Sequence, residues 1–397
     1  MTPSPRRTPN SYDQIMKNGL RNLIVFIIVA MVHLLVGIRL FWRPSPPSAA
    51  VQPPAAEMAP APVDAPDGIN ADAPVPPATP TPVTPVTPVT PQPATPTTPV
   101  RRPSPQVPAA SAFPAYHRGF YREALRPMPE KLRRSLNDVR AGVAIDVASR
   151  SILWEKSSDK AYPIASLTKL LTAQMLIEKV DSDPSLTMQS VLKVTNDDVR
   201  YLRARRISGV YLDPRDKLTF SEFVKCMIIS SANDCAAIAG KFIGGGDIEE
   251  GVVAMNHRAR QLGLSGMQFY NPNGLPIDRA GGRVENLGSA LDVAYLTERS
   301  LGFPEIMKWA AVASDCIRED TKRFDLHSTN KLLRARVPGV NGLKTGYTAT
   351  AGYCISVTCT RNGRTVIIVL MGVQGADNGR HRDALAKSLL EWIYAGQ

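Results

Sequence analysis

An α+β fold is predicted for the chain beyond residue 115, on three observations. Strand-patterned segments lie near both ends of that region. A run of helix-patterned segments lies between them. Asn362-Gly363, a hairpin turn signal, joins the last two strands. Strands at both ends enclosing helices imply that the two ends meet in one mostly antiparallel sheet, flanked by helices and a helical subdomain.

The elements follow in order. Arg122 to Val139 is read as a helix. Ala141–Val147 and Ser151–Trp154 form a hairpin with Ser149-Arg150 at its turn. A very apolar helix starts near Ser166. Helices are expected at Leu218–Ile229 and Cys235–Phe242, separated by Ser230-Ser231-Ala232-Asn233-Asp234. Further helices are expected at Ile248–Leu262, Leu287–Arg299 and Pro304–Ala311. Asn271-Pro272-Asn273-Gly274 is turn chemistry. Strands at Leu343–Tyr347, Tyr353–Arg361 and Thr365–Met371 and a helix at Asp383–Tyr394 close the domain.

The chain before residue 116 has a different character. Residues 1–18 are polar and basic, and 19–43 are apolar, with Leu23–Ile38 broken only by His33 and Gly37. About 23 helical residues span roughly 34 Å, enough for a bilayer core. Arg6, Arg7, Lys17 and Arg21 outnumber Arg39 and Arg43, which predicts a cytoplasmic N-terminus and an extracytoplasmic remainder. The expectation is an uncleaved signal anchor. A cleaved signal peptide ending near Ser48-Ala49-Ala50 is the alternative. Residues 44–115 hold 23 of the 35 prolines, including a Thr-Pro-Val repeat with the three-residue period of polyproline II. Such a segment forms no core. As an extended spacer it would reach on the order of 200 Å. Residues 116–397 are the expected catalytic domain.

The net charge of +12 suits anionic surroundings, but no zinc-finger spacing or Gly-rich phosphate loop supports a nucleic-acid partner. The five cysteines have no metal-ligand spacing, so neither metal nor cofactor is expected. Cys354 and Cys359 fall on opposite faces of one strand and should not pair. A Cys226–Cys235 disulfide stays open.

Candidate chemistry begins at Ser166-Leu167-Thr168-Lys169. Residues i and i+3 share a helix face, and a hydroxyl beside an amine is the minimum for a serine nucleophile with a lysine base. The pattern alone says little, because Ser157/Lys160, Ser190/Lys193 and Ser328/Lys331 match it too. Ser231-Ala232-Asn233 follows at a helix–helix junction, although Ser-x-Asn recurs at Ser135 and Ser328. Lys344-Thr345-Gly346 then occurs on a strand, the one Lys-Thr-Gly in the chain. Order and context together carry the weight.

Ser166-x-x-Lys169, Ser231-x-Asn233 and Lys344-Thr345-Gly346 are the motif set of the penicillin-binding proteins and serine β-lactamases. With Phe269–Leu275 and Gly342–Thr348, the chain resembles the low-molecular-mass D-alanyl-D-alanine carboxypeptidases over roughly residues 135–395. The resemblance implies a penicillin-binding, transpeptidase-like fold and a serine DD-carboxypeptidase. Its substrate would be peptidoglycan stem peptides, and β-lactam antibiotics would inhibit it. It implies Ser166 as nucleophile, Lys169 as base, Ser231 as proton relay and Asn233 as holder of Lys169 or substrate. Lys344, Thr345, Gly346 and, more weakly, Arg382 would bind substrate, with Ser166 and Tyr347 backbone N–H groups as the oxyanion hole. A DD-endopeptidase is the alternative, since Asp197–Leu202 is similar to related endopeptidases. A non-catalytic wall-binding module is a third. Ala232 stands where many relatives have glycine. A β-rich C-terminal domain and C-terminal anchor, common in relatives, are not expected. The whole reading is of a single-pass bacterial membrane protein acting outside the membrane in wall biogenesis and cell shape.

Overall fold

The computed structural model describes residues 113–117, 119–375 and 377–395. The expected cytoplasmic tail and membrane anchor, and the proline linker up to residue 112, lie outside them. Among the described residues no helix is long and apolar enough to cross a membrane.

The core is a six-stranded sheet. After β1 (Arg122–Glu123) and α1 (Glu130–Ser135) come β2 (Ala141–Asp146) and β3 (Ser151–Lys156). The short β4 (Tyr162–Pro163) leads through a 3-10 turn, Ala165–Thr168, into α2 (Lys169–Asp181). The helical part continues with α3 (Asn196–Ala204), α4 (Phe220–Ile229), α5 (Asn233–Ile243) and α6 (Ile248–Gln261). Short strands β5 (Ile277–Arg279), β6 (Gly282–Val284) and β7 (Leu287–Gly288) precede α7 (Ala290–Ser300) and α8 (Pro304–Ala310). Then come β8 (Ser314–Ile317), β9 (Phe324–His327) and α9 (Lys331–Arg334). The chain returns to the sheet with β10 (Val340–Thr348), β11 (Gly352–Arg361) and β12 (Arg364–Val373), and ends its described part in α10 (Arg380–Tyr394).

The strand order is β1-β3-β2-β12-β11-β10, antiparallel except where β1 meets β3. The two chain ends meet at β2–β12, as the pattern of elements predicts. Side chains alternate across the sheet, so one strand feeds two cores. Ile367, Val369 and Met371 face the helical side with α2, α4, α5 and α7. Val366, Ile368 and Leu370 face α10 through Leu385, Leu389 and Ile393. Cys354 lies in the first core and Cys359 in the second, on opposite faces. All five cysteines are free thiols.

Three boundaries differ from expectation. Arg122–Val139 is not one helix, because Pro127 and Pro129 disfavour helix in the residues before them and lack the N–H a helix interior needs. The helix begins only after Pro129. Leu218 stays outside its helix, which begins at Phe220 with Thr219 as its cap; at the start of the domain, the Phe113 ring already packs edge-on against Tyr295 at 5.4 Å. Leu287–Gly288 pairs with β4 as a strand, and Ser289 caps α7 by accepting the Asp292 N–H.

Candidate active site

Ser166 sits in the 3-10 turn that opens α2, and Lys169 is the first residue of the α-helix. Almost every side chain of α2 is buried, which makes it the axis of the helical part. The turn is strained at its start, where Ala165 adopts φ 46°, and is closed by Thr168 Oγ1 donating to the Ala165 carbonyl at 2.7 Å.

Lys169 is completely buried, and its Nζ has three neighbours. Ser166 Oγ and Asn233 Oδ1 each lie at 2.8 Å, and the Asn273 carbonyl oxygen at 2.6 Å. Two of these can only accept. A neutral amine has two N–H donors and one lone pair, so it donates to both carbonyl oxygens and keeps its lone pair for the Ser166 hydroxyl. Burial, followed by repulsion from Lys344, holds the Lys169 pKa well below that of a free lysine, against the smaller pull of Asp234 and Cys235.

The Asn273 contact is the functional feature that motif reading missed. The turn over Asn271–Gly274 is built by its own side chains. Asn271 Oδ1 accepts from the Asn273 and Gly274 N–H groups, and Gly274 takes φ 82°. A Cβ at Gly274 would run into the Ala165 carbonyl, so glycine is required there twice over. Asn286, fully buried, ties the turn to the helix. Its Nδ2 donates to Thr168 Oγ1 at 2.9 Å and to the Asn271 carbonyl at 2.8 Å. The turn was legible in the sequence. Its target, a lysine 104 positions earlier, was not.

Ser231 occupies the bend between α4 and α5 with φ 62°. Non-glycine residues in this region cost about 1–3 kcal/mol and persist where surrounding structure holds them. Asp234 is structural. Its buried carboxylate accepts the backbone N–H groups of Cys235 and Leu212, which pins the loop beside α5. Arg200, Arg203, Arg205 and Arg206 are all exposed.

β10 is the edge strand and runs against the Ser166 turn. A Cβ on Gly346 would sit 3.0 Å from Ser166 N, 3.1 Å from Ala165 Cβ and 3.2 Å from the Ile164 carbonyl. Glycine therefore lets the strand approach the serine's own backbone. Lys344 also departs from the expectation of a cation on the cavity wall. It is 1 % exposed, its ammonium donates to the Thr345 carbonyl at 2.8 Å, and it does not line the cavity. Burial and then Arg382 push its pKa down to about 7.

Ser166, Ser231, Asn233, Thr345, Gly346 and Tyr347 line one open cavity of about 440 Å³, with Arg382 on its wall. Tyr347 is 55 % exposed and stacks on Tyr353 with centroids 4.3 Å apart. Arg382 is buried, donates to the Cys354 carbonyl and pairs with Asp383. Ser328 and Thr329, from one of the two Ser-x-Asn repeats outside the motif set, line the cavity too. Thr329 Oγ1 accepts from Thr345 Oγ1 at 2.7 Å. Asn330 of that repeat lies outside the cavity lining; its Oδ1 caps α9 by accepting the Leu332 and Leu333 N–H groups, and its Nδ2 donates to the Gly342 carbonyl of β10 at 3.0 Å.

This sheet, with a serine–lysine turn against its edge strand and a helical part beside it, is the fold of the penicillin-binding DD-peptidases. A penicillin-binding protein of Listeria monocytogenes, solved in its cefotaxime-bound form, superposes with a TM-score of 0.53 at 28% identity, over 64% of this chain and 97% of that one. The family model for D-alanyl-D-alanine carboxypeptidase matches residues 131–375, and the chain belongs to that family. It is 29% identical to a D-alanyl-D-alanine carboxypeptidase of Bacillus subtilis, over 65% of this chain and 63% of that protein. It is also 26% identical to a D-alanyl-D-alanine endopeptidase of Pseudomonas aeruginosa, over 65% of this chain and 77% of that protein.

Proposed function

We propose that the protein is a serine DD-carboxypeptidase that removes the terminal D-alanine from peptidoglycan stem peptides. The observation that carries this reading is the buried Lys169 amine, with its charge suppressed, 2.8 Å from Ser166 Oγ. Ser166 gives its proton to Lys169, and Oγ bonds the carbonyl carbon of the penultimate residue. Backbone N–H groups of Ser166 and Tyr347 receive the oxyanion, each such donor lowering the barrier by roughly 3–4 kcal/mol. The C–N bond breaks, and Ser231 passes the proton to the departing amine. Water then adds to the acyl-enzyme, a proton returns to Ser166 and the shortened peptide leaves. Asn233 holds Lys169 in place. Thr345 and Arg382 face the leaving residue's carboxylate, while Lys344 acts from behind the wall through its charge.

β-Lactams would acylate the same serine, a reading supported by the cefotaxime-bound relative. The endopeptidase reading has the support of the Pseudomonas relative's name. The apolar segment 19–43 would anchor the chain, with 44–115 as its tether, in the bacterial cell membrane with the catalytic domain outside. Full-length protein remaining with washed membranes is the expected result for that tether, and its release to the supernatant would contradict it.

Digestion of purified muropeptides tests the activity. Free D-alanine released from monomeric pentapeptide by wild type, and not by Ser166→Ala, is the expected result. Cross-linked dimers converted to monomers without free D-alanine would replace the carboxypeptidase reading with the endopeptidase one.

A further inference from the structure

The cavity wall beyond Thr345 and Arg382 has a charge pattern that removal of alanine does not require. Lys331 and Arg334, one turn apart on α9, both line it, and no Asp or Glu does. Neither forms an ion pair with a carboxylate among the described residues; the Lys331 ammonium donates to the Asn378 carbonyl at 2.5 Å. That contact fixes where the pair sits relative to the chemistry. Asn378 precedes Gly379, whose Cβ position lies 3.3 Å from the Arg382 guanidinium carbon. The neighbouring Thr329 is bonded to Thr345. The segment bearing Lys331 and Arg334 is thus tied on both sides to the groups that face the leaving residue's carboxylate. Behind the wall the buried Asp383 pairs with Arg382 and is also within the reach of the Lys331 charge; a leaving carboxylate is matched by Thr345 and Arg382, and Lys331 and Arg334 remain beside it on the cavity side.

We propose that Lys331 and Arg334 form a subsite for a second negative charge on the leaving group. Beside terminal D-alanine, the site would then accept a leaving residue carrying a side-chain carboxylate, and favour it over an uncharged residue of the same size. The inference rests on the proposed hydrolysis at Ser166 and names which amine departs from it. The bonds made and broken are unchanged: Oγ–C forms, C–N breaks, the departing amine takes the serine's proton, and water releases the acyl group. What differs is that the departing residue is attracted by charge in the ground state and in the transition state alike. The effect should therefore appear in kcat/KM and weaken as salt rises.

The test uses the full-length chain and three synthetic peptides sharing one acetylated lysyl-D-alanyl donor and ending in D-alanine, D-glutamate or D-glutamine. D-Glutamine matches D-glutamate in size without the charge. Wild type should hydrolyse the D-glutamate peptide with about fivefold or higher kcat/KM than the D-glutamine peptide at low salt, the scale expected of two partly exposed cations. In Lys331→Met/Arg334→Gln that ratio should fall to about one. A variant that only disturbs the fold would slow both peptides together and keep the ratio. A ratio near one in wild type, or the wild-type ratio surviving in the variant, overturns the subsite while leaving hydrolysis at Ser166 intact. Failure of folded wild type to cleave any of the three overturns the parent reading and the subsite with it.

Discussion

Replacing Lys344 by methionine should move the pH dependence of acylation in one direction. Lys169 must be neutral to accept the Ser166 proton, so acylation rises with pH through its pKa. Burial is the first cause holding that pKa down, and the Lys344 charge is the second. Lys344→Met keeps the length and apolar burial of the side chain and removes the charge. The Lys169 pKa then rises, and the rising limb of the profile shifts to higher pH. A like charge at close range moves a pKa by about 1–3 units. The shift here belongs at the lower end, because Lys344 itself has a pKa of about 7 and carries only part of its charge near neutrality. One unit corresponds to about a tenfold loss of acylation rate on the acidic side, where neutral Lys169 is scarce. The loss should shrink above about pH 8, where Lys344 is largely uncharged in wild type too. The assay is the second-order rate of acylation by a chromogenic cephalosporin across pH, for both proteins. A limb that stays in place or moves to lower pH would refute the electrostatic coupling. A loss equal at every pH would show that Lys344 acts by position instead.

Two further substitutions probe the geometry behind the serine. Gly346→Ala would place a Cβ 3.0 Å from Ser166 N, and the neighbouring atoms are mostly backbone. The turn must shift by a few tenths of an ångström, so β-lactam acylation should fall about 10–100-fold with little change in melting temperature; an unchanged acylation rate would contradict the close packing of β10 on the turn. Asn286→Ala removes bonds to Thr168 Oγ1, the Asn271 carbonyl and N–H, and the Tyr270 N–H, all buried but the last, which is half-buried. Leaving such groups unpaired should cost about 3–5 kcal/mol in urea unfolding, and a loss under about 1 kcal/mol would refute the network's structural role.

Much of the fold was legible because the informative signals were local. The unbroken apolar run Val366–Met371 marks β12 as a strand buried on both faces, and the five-residue spacing of Cys354 and Cys359 placed them on opposite sides of β11. The capping boxes at Thr219 and Ser289 are equally local, but the apolar pattern alone started α4 and α7 too early, at Leu218 and Leu287. What escaped was set by contacts between distant segments. Nothing near Asn273 signals that its carbonyl meets Lys169. Nothing near Lys344 says that its ammonium folds back onto Thr345 inside the wall. The repeated Ser-x-Asn at Ser328 looked like a chance match, yet tertiary packing brings Ser328 and Thr329 to the cavity while Asn330 caps α9 and ties it to the Gly342 carbonyl of β10. Pro127 and Pro129 were visible and outweigh the helical pattern around them, which is a local rule underweighted rather than a hidden contact.

The central claim is that Ser166, activated by Lys169, is the acylated nucleophile. Penicillin-treated, folded full-length protein can be digested and its peptides weighed. The account predicts one penicilloyl adduct, carried by the peptide containing Ser166 and lost in Lys169→Met. An adduct on a peptide containing Ser231 or Ser328, or no adduct at all, would contradict it.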